Sequence, residues 1–123
     1  MWHTDVSYEK QPPSTTTLKI DTLPPVGGDT LWASGYVAYE KLSAPIKNLL
    51  EGLEAVHSAK EQAEASERAG GPVRRAPVEN IHPIVRTHPV TKRKALYVNP
   101  VFTRRIVGLS HRESRKLIGK AVM

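Results

Sequence analysis

The chain opens MWHTDVSY, with His3 and Asp5 two positions apart. An imidazole nitrogen and a carboxylate oxygen are the mixed donors of a 2-His-1-carboxylate site, which holds Fe(II) and leaves positions open for substrate chemistry. If the segment is a strand, residues i and i+2 face the same way, and the two side chains start roughly 6 to 7 Å apart with their heads converging. The competing reading is an exposed polar strand face, since a bare HxD tripeptide arises readily by chance. The chain has no cysteine, so disulfides and thiolate metal sites are excluded and any metal must be held by nitrogen and oxygen. His82 and His88 are six residues apart, roughly 20 Å along a strand, too far to share an ion, and core or surface roles are expected for them.

The elements that must position these groups are short. Beyond the opening strand, EKQPPS reads as a turn and TTTLKIDTL, rich in β-branched residues, as a second strand. PPVGGDT then makes a tight loop that releases Asp29 and Thr30 where a new element begins. Helical character starts at Ser34. Ser43 is placed as an N-cap, Pro45 suits a first turn, and Ile46, Leu49, Leu50 and Leu53 form one apolar stripe at i, i+3, i+4 and i+7. Residues 58–80 are polar, a short Ala/Glu helix followed by a Gly/Pro/Arg loop, and are expected to form a lid-like insertion or a disordered connection. IVRTH and KALYV flank PVTKR as a hairpin with a basic turn, and SHRE is a capping box, with Ser110 and Glu113 opening a helix that contains Leu117 and Ile118.

With 39% hydrophobic residues in 123, the chain can build one small core, while 10 Pro and 8 Gly exclude long helices from much of it. No run reaches the length of a membrane span and the N-terminus lacks the regions of a signal peptide, so a soluble, cytoplasmic protein is expected. Net charge is +6, unevenly spread: residues 81–123 carry ten Lys or Arg against Glu113 alone. A nucleic-acid module would want aromatic platforms among those cations, and only Tyr97 and Phe102 are available. A small anionic substrate or a solvated surface accounts for the charge as well, and solvated charge is the expectation for Arg104 and Arg105.

Taken in order, WHTDVSYEKQPP, GGDTLWAS, AYEKLS and HPIVRTHPVTKRKALYVNPVFTRRIVGL resemble the TauD/TfdA family of Fe(II)- and 2-oxoglutarate-dependent dioxygenases, most of all the fungal sulfonate and taurine dioxygenases, from Trp2 to about Ser114. The resemblance implies a mainly β fold with helical insertions, here an incomplete domain spanning 1–123 as part of a double-stranded β-helix of the jelly-roll kind. It implies that His3 and Asp5 are iron ligands, that the Thr30 hydroxyl donates to a carboxylate oxygen of 2-oxoglutarate, and that Phe102 lines the substrate pocket. On local sequence alone, Thr30 reads as a β-branched residue at an element's entrance and Phe102 as core. His57 and Arg68 mimic the family's spacing of its second iron histidine and its 2-oxoglutarate arginine. They stand where helix gives way to the insertion, well before the family's late strands, and are not expected to be site residues.

The activity so implied is hydroxylation of a small, taurine-like sulfonate beside its sulfonate group, with O2 and 2-oxoglutarate consumed and sulfite and an aldehyde released. The resemblance also puts the distal histidine and arginines beyond Met123, so the isolated chain is expected to bind iron weakly and to be inactive alone. A homo-oligomer is compatible with the full-length family. The alternatives are a non-catalytic fragment and a basic nucleic-acid-binding module, the latter predicting a salt-dependent affinity carried by residues 92–120.

Overall fold

The computed structural model describes residues 1–72 and 75–122. Its centre is a three-stranded antiparallel sheet in which β1 (Glu54–Ser58) runs between β2 (Glu79–Pro83) and β5 (Thr103–Ile106). Every residue of β1 after Glu54 is buried, as expected of a strand paired on both edges and covered on both faces. Its register sets Ala55 opposite His82 and Ile106, and His57 opposite Asn80 and Thr103. Between Val56 and His57 the pairing with β5 shifts, because Val56 faces Arg105 and His57 faces Thr103, leaving Arg104 as the extra residue of a bulge.

Two short helices precede the sheet. Helix α1 (Gly35–Glu40) begins where the Ser34 hydroxyl accepts from the Val37 N–H, and α2 (Ala44–Leu50) begins with Pro in its first turn. The chain leaves α2 through Gly52 at φ +83, a left-handed turn that a side chain would strain, and enters β1. Helix α3 (Lys60–Arg68) and a loop then connect β1 to β2. The hairpin of β3 (Val85–Thr87) and β4 (Lys94–Leu96) follows, with the His88 ring accepting from the Val90 and Thr91 N–H groups inside its basic turn. Packing of α1 on β4 brings backbone against backbone: a Cβ on Gly35 would lie 3.0 Å from the Leu96 carbonyl oxygen. Helix α4 (His111–Val122) opens with the expected capping box, the Ser110 N–H and hydroxyl both donating to the Glu113 carboxylate at 2.9 and 2.7 Å.

Leu50, Ala55, Ile84, Ile106 and Ile118 form the main core, with residues from α2, β1, β5, α4 and the link between β2 and β3. A second, smaller cluster of Tyr8, Ala59 and Phe102 lies under the N-terminal segment. The hairpin and the α4 cap stand as expected, whereas other expectations are corrected. Residues 1–8 are coil and turn, and TTTLKIDTL is coil with Leu18 and Ile20 more than half exposed, because neither segment has a neighbouring strand among the described residues to receive its backbone hydrogen bonds. Helices of 6, 7, 9 and 12 residues stand beside strands of 3 to 5 among the described residues, the strands being antiparallel. The α2 stripe is narrower than predicted: Leu50 is buried and Ile46 and Leu53 pack on the core, but Leu49 is 48% exposed. His57 is not at the end of a helix; it lies in the central strand. Arg104 is largely buried, donating to the Val101 carbonyl and pairing with Glu61 at 2.8 Å.

Candidate metal centre

The N-terminal segment brings its two candidate ligands together without being a strand. His3 Nε2 lies 3.1 Å from Asp5 Oδ1, both side chains about half exposed. The other ring nitrogen, Nδ1, is 2.9 Å from the Met1 carbonyl oxygen. A carbonyl only accepts, so Nδ1 carries a proton in that bond, and Nε2 is the nitrogen that faces Asp5. A lone pair and a carboxylate oxygen facing each other at this distance need a shared cation, either a proton, which makes an ordinary surface ion pair, or a metal ion. Neighbouring donors each about 2.1 Å from a first-row metal, at right angles, are about 3.0 Å apart, so the separation fits two adjacent coordination positions. A backbone carbonyl on the far nitrogen is also the usual outer partner of a metal-bound histidine. Among the described residues no group of three His, Asp, Glu or Cys forms, and the pair stands without a third ligand.

What fixes this pair is a turn. Val6 has φ +44, an uncommon conformation for a β-branched residue, and it reverses the alternation that a strand would impose. In a strand, residues 3, 5 and 7 would share one face; here His3 and Asp5 face outward while Ser7 is fully buried. The interior then grips the turn at several points. Asn80 Nδ2 donates to the Tyr8 carbonyl at 2.7 Å, His82 Nε2 donates to the Glu9 carbonyl at 2.8 Å, and Arg75 pairs with the Glu9 carboxylate. Ser7 Oγ lies 2.9 Å from His57 Nδ1 and accepts from Asn99 Nδ2 at 3.1 Å.

Phe102, 3% exposed, stands edge-on to Tyr8 with ring centroids 4.9 Å apart and edge-on to His3 at 6.3 Å. It is a core residue and a neighbour of the candidate ligand at once. Thr30 lies on the exposed coil after Gly27 and Gly28. His57 is fully buried, stacked on Tyr97 at 5.5 Å and edge-on to His82 at 5.6 Å. Burial, and then the positive surroundings of His82, Arg104 and Arg86, hold its pKa down to about 4, so it is neutral at pH 7. Burial and then Arg86 lower the His82 pKa as well. Sequence reasoning passed over Ser7, His57 and Asn99 as site-forming residues. The only local hint was Asn99 before Pro100, an Asn-Pro turn signal.

Residues 1–120 match the family described as taurine catabolism dioxygenase TauD, TfdA family, and the chain belongs to it. Over 117 residues it is 55% identical to the alpha-ketoglutarate-dependent sulfonate dioxygenase of Saccharomyces cerevisiae, a match that covers 95% of this chain and 28% of the yeast protein. It is 36% identical over 126 residues to the alpha-ketoglutarate-dependent sulfate ester dioxygenase of Pseudomonas putida, covering 94% of this chain and 41% of that one. A crystal structure of a taurine dioxygenase from Burkholderia xenovorans superposes with a TM-score of 0.64 at 40% identity, over 81% of this chain and 31% of that chain. The chain therefore spans about a third of the length of these relatives. No helix among the described residues is long and apolar enough to cross a membrane.

Proposed function

We propose that His3 and Asp5 are two of the three protein ligands of an Fe(II) centre in a 2-oxoglutarate-dependent dioxygenase that acts on a small sulfonate, and that the chain is part of a jelly-roll domain. The observation that carries this reading is the 3.1 Å approach of His3 Nε2 to Asp5 Oδ1, with the Nδ1 proton engaged by the Met1 carbonyl. The third ligand would come from polypeptide other than the described residues. Family membership and the likeness to a sulfonate dioxygenase support the reaction class. Iron bound there would couple oxidative decarboxylation of 2-oxoglutarate and reduction of O2 to hydroxylation of the carbon beside the sulfonate, after which sulfite and an aldehyde separate.

The residues of this chain would each do something simpler. His3 offers a nitrogen donor whose tautomer is set by Met1 O, and Asp5 offers a carboxylate oxygen whose charge offsets part of that of a divalent cation. Phe102, backed by Tyr8, presents an apolar wall beside His3 that keeps water from the reacting carbon and shapes the pocket. Thr30 would donate its hydroxyl to a 2-oxoglutarate carboxylate once the exposed 18–32 coil is covered. The basic surface contributes a field that attracts two anionic substrates.

The test is succinate formation from 2-oxoglutarate, dependent on Fe(II) and a sulfonate, together with anaerobic metal titration. A protein that carries residues 1–123 together with a third ligand is expected to show both, and in it His3→Ala and Asp5→Ala are expected to lower turnover by at least a hundredfold and to abolish tight metal binding. The 123-residue chain alone is expected to show neither. Unchanged metal affinity in both variants would remove the basis of this reading.

A further inference from the structure

Asn99 is 4% exposed, and its side chain uses both ends. Its Oδ1 accepts from the Val101 N–H at 3.1 Å and the Phe102 N–H at 2.8 Å, while its own N–H donates to Thr103 Oγ1 at 2.9 Å. Backbone N–H groups can only donate, so the amide oxygen must face them and the amide nitrogen must face Ser7. Ser7 Oγ therefore accepts a hydrogen bond from Asn99 Nδ2, and its own O–H is free to donate to His57 Nδ1. One side chain thus joins the loop that carries Phe102 to the turn that carries Asp5, with Ser7 as the shared atom and His57 of the central strand behind it. Ser7 is only two residues from Asp5, and the reversal at Val6 is the single joint between them.

We infer that Asn99 is a positioning residue, which holds the His3–Asp5 turn and the aromatic wall at Phe102 in one fixed relation, so that metal affinity and pocket shape are set by the same hydrogen-bonded unit. This rests on His3 and Asp5 being metal ligands. Asn99 touches neither the candidate ligands nor a substrate; it acts through Ser7 on one side and through the Phe102 amide on the other. Partners bonded directly to a metal ligand commonly change affinity by about 10- to 100-fold, and Asn99, one residue further out, is expected at the lower end of that range.

The test is Mn(II) binding, followed by electron paramagnetic resonance, in the protein as its own gene encodes it, with amide hydrogen exchange at Phe102 as a second readout. Asp5→Ala comes first, because if it binds Mn(II) as well as the unsubstituted protein, the metal-site reading fails and this inference with it. Given that loss, Asn99→Ala is expected to weaken Mn(II) binding at least tenfold and to speed exchange at Phe102. Ser7→Ala is expected to weaken Mn(II) binding similarly while leaving Phe102 exchange unchanged, and it decides the question alone if Asn99→Ala does not fold. Thr103→Val removes a neighbouring buried hydrogen bond without cutting either tie, and is expected to lower stability while leaving Mn(II) affinity within twofold. A Ser7→Ala or folded Asn99→Ala protein that binds Mn(II) normally would overturn the inference, as would a Thr103→Val protein that loses affinity as much as they do.

Discussion

His57 carries a pH dependence that belongs to it as a residue rather than to any catalytic step. Its pKa is about 4 in the fold and close to the ordinary 6.5 once unfolded, so between those values the unfolded chain binds a proton that the folded chain refuses. Stability from this group is therefore fully present above pH 6.5 and is lost as pH falls towards 4, by about 3 kcal/mol in total. His82, whose pKa is also lowered, adds to the loss in the same direction. Urea midpoints measured from pH 7 to pH 4 are expected to fall steeply, and His57→Gln is expected to flatten that curve while lowering its plateau, since the bond with Ser7 is weakened. An equally steep curve in His57→Gln would place the titration elsewhere. His57 is thus held neutral at pH 7 by its burial, and its part in the fold is the contact with Ser7 at 2.9 Å.

At the scale of elements, the core around β1 sets the costs. Ile106 is 1% exposed and joins β5 to α4, where the Ser114 hydroxyl accepts from the Ile106 N–H at 3.0 Å. Ile106→Ala is expected to cost about 2 to 5 kcal/mol by thermal or chemical unfolding, whereas Leu49→Ala, on the exposed face of α2, should fall within about 0.5 kcal/mol. Ser110→Ala removes a cap and should cost about 1 kcal/mol. What could be read in advance was what short-range chemistry decides. Ser110 and Glu113 announce their helix within four residues, and IVRTH with KALYV announces a hairpin across a short basic turn. The approach of His3 to Asp5 was also legible, although through the wrong geometry, since spacing of two predicts a shared face in a strand and a turn produced it instead. The strand holding His57 was missed because EAVHS is short and lacks polar alternation; Gly52 marks the end of the helix before it, but nothing local shows that the next five residues are paired on both edges. Ser7, Asn80 and Asn99 were illegible for a related reason: each is a common turn or surface residue until partners far along the chain bury it.

For the molecule as a whole, two features of the surface stand out. The cationic last third is partly answered by the rest of the chain, because Arg93, Lys94 and Arg104 pair with Glu40, Glu51 and Glu61 at 2.8 Å, which leaves the nucleic-acid reading with fewer free cations than the sequence suggests. The other is a run of uncovered apolar side chains, with Leu23 68%, Leu31 70% and Trp32 77% exposed. Patches of this kind drive association, so the 123-residue chain is expected to bind hydrophobic dyes and to self-associate in sedimentation experiments. Replacing Leu31 and Trp32 together by Lys should reduce both without changing the far-UV circular dichroism. Finally, the turn that presents His3 and Asp5 has almost no support from its own neighbourhood: its side-chain anchors reach it from 50, 66, 72, 73 and 92 residues away. Closing such long loops is unfavourable until the sheet and the 97–102 loop already exist to receive the segment. The segment that carries His3 and Asp5 is thus the piece of the described architecture that must wait longest for its place, and a cation shared by the pair would find it formed only after the sheet and the 97–102 loop have assembled.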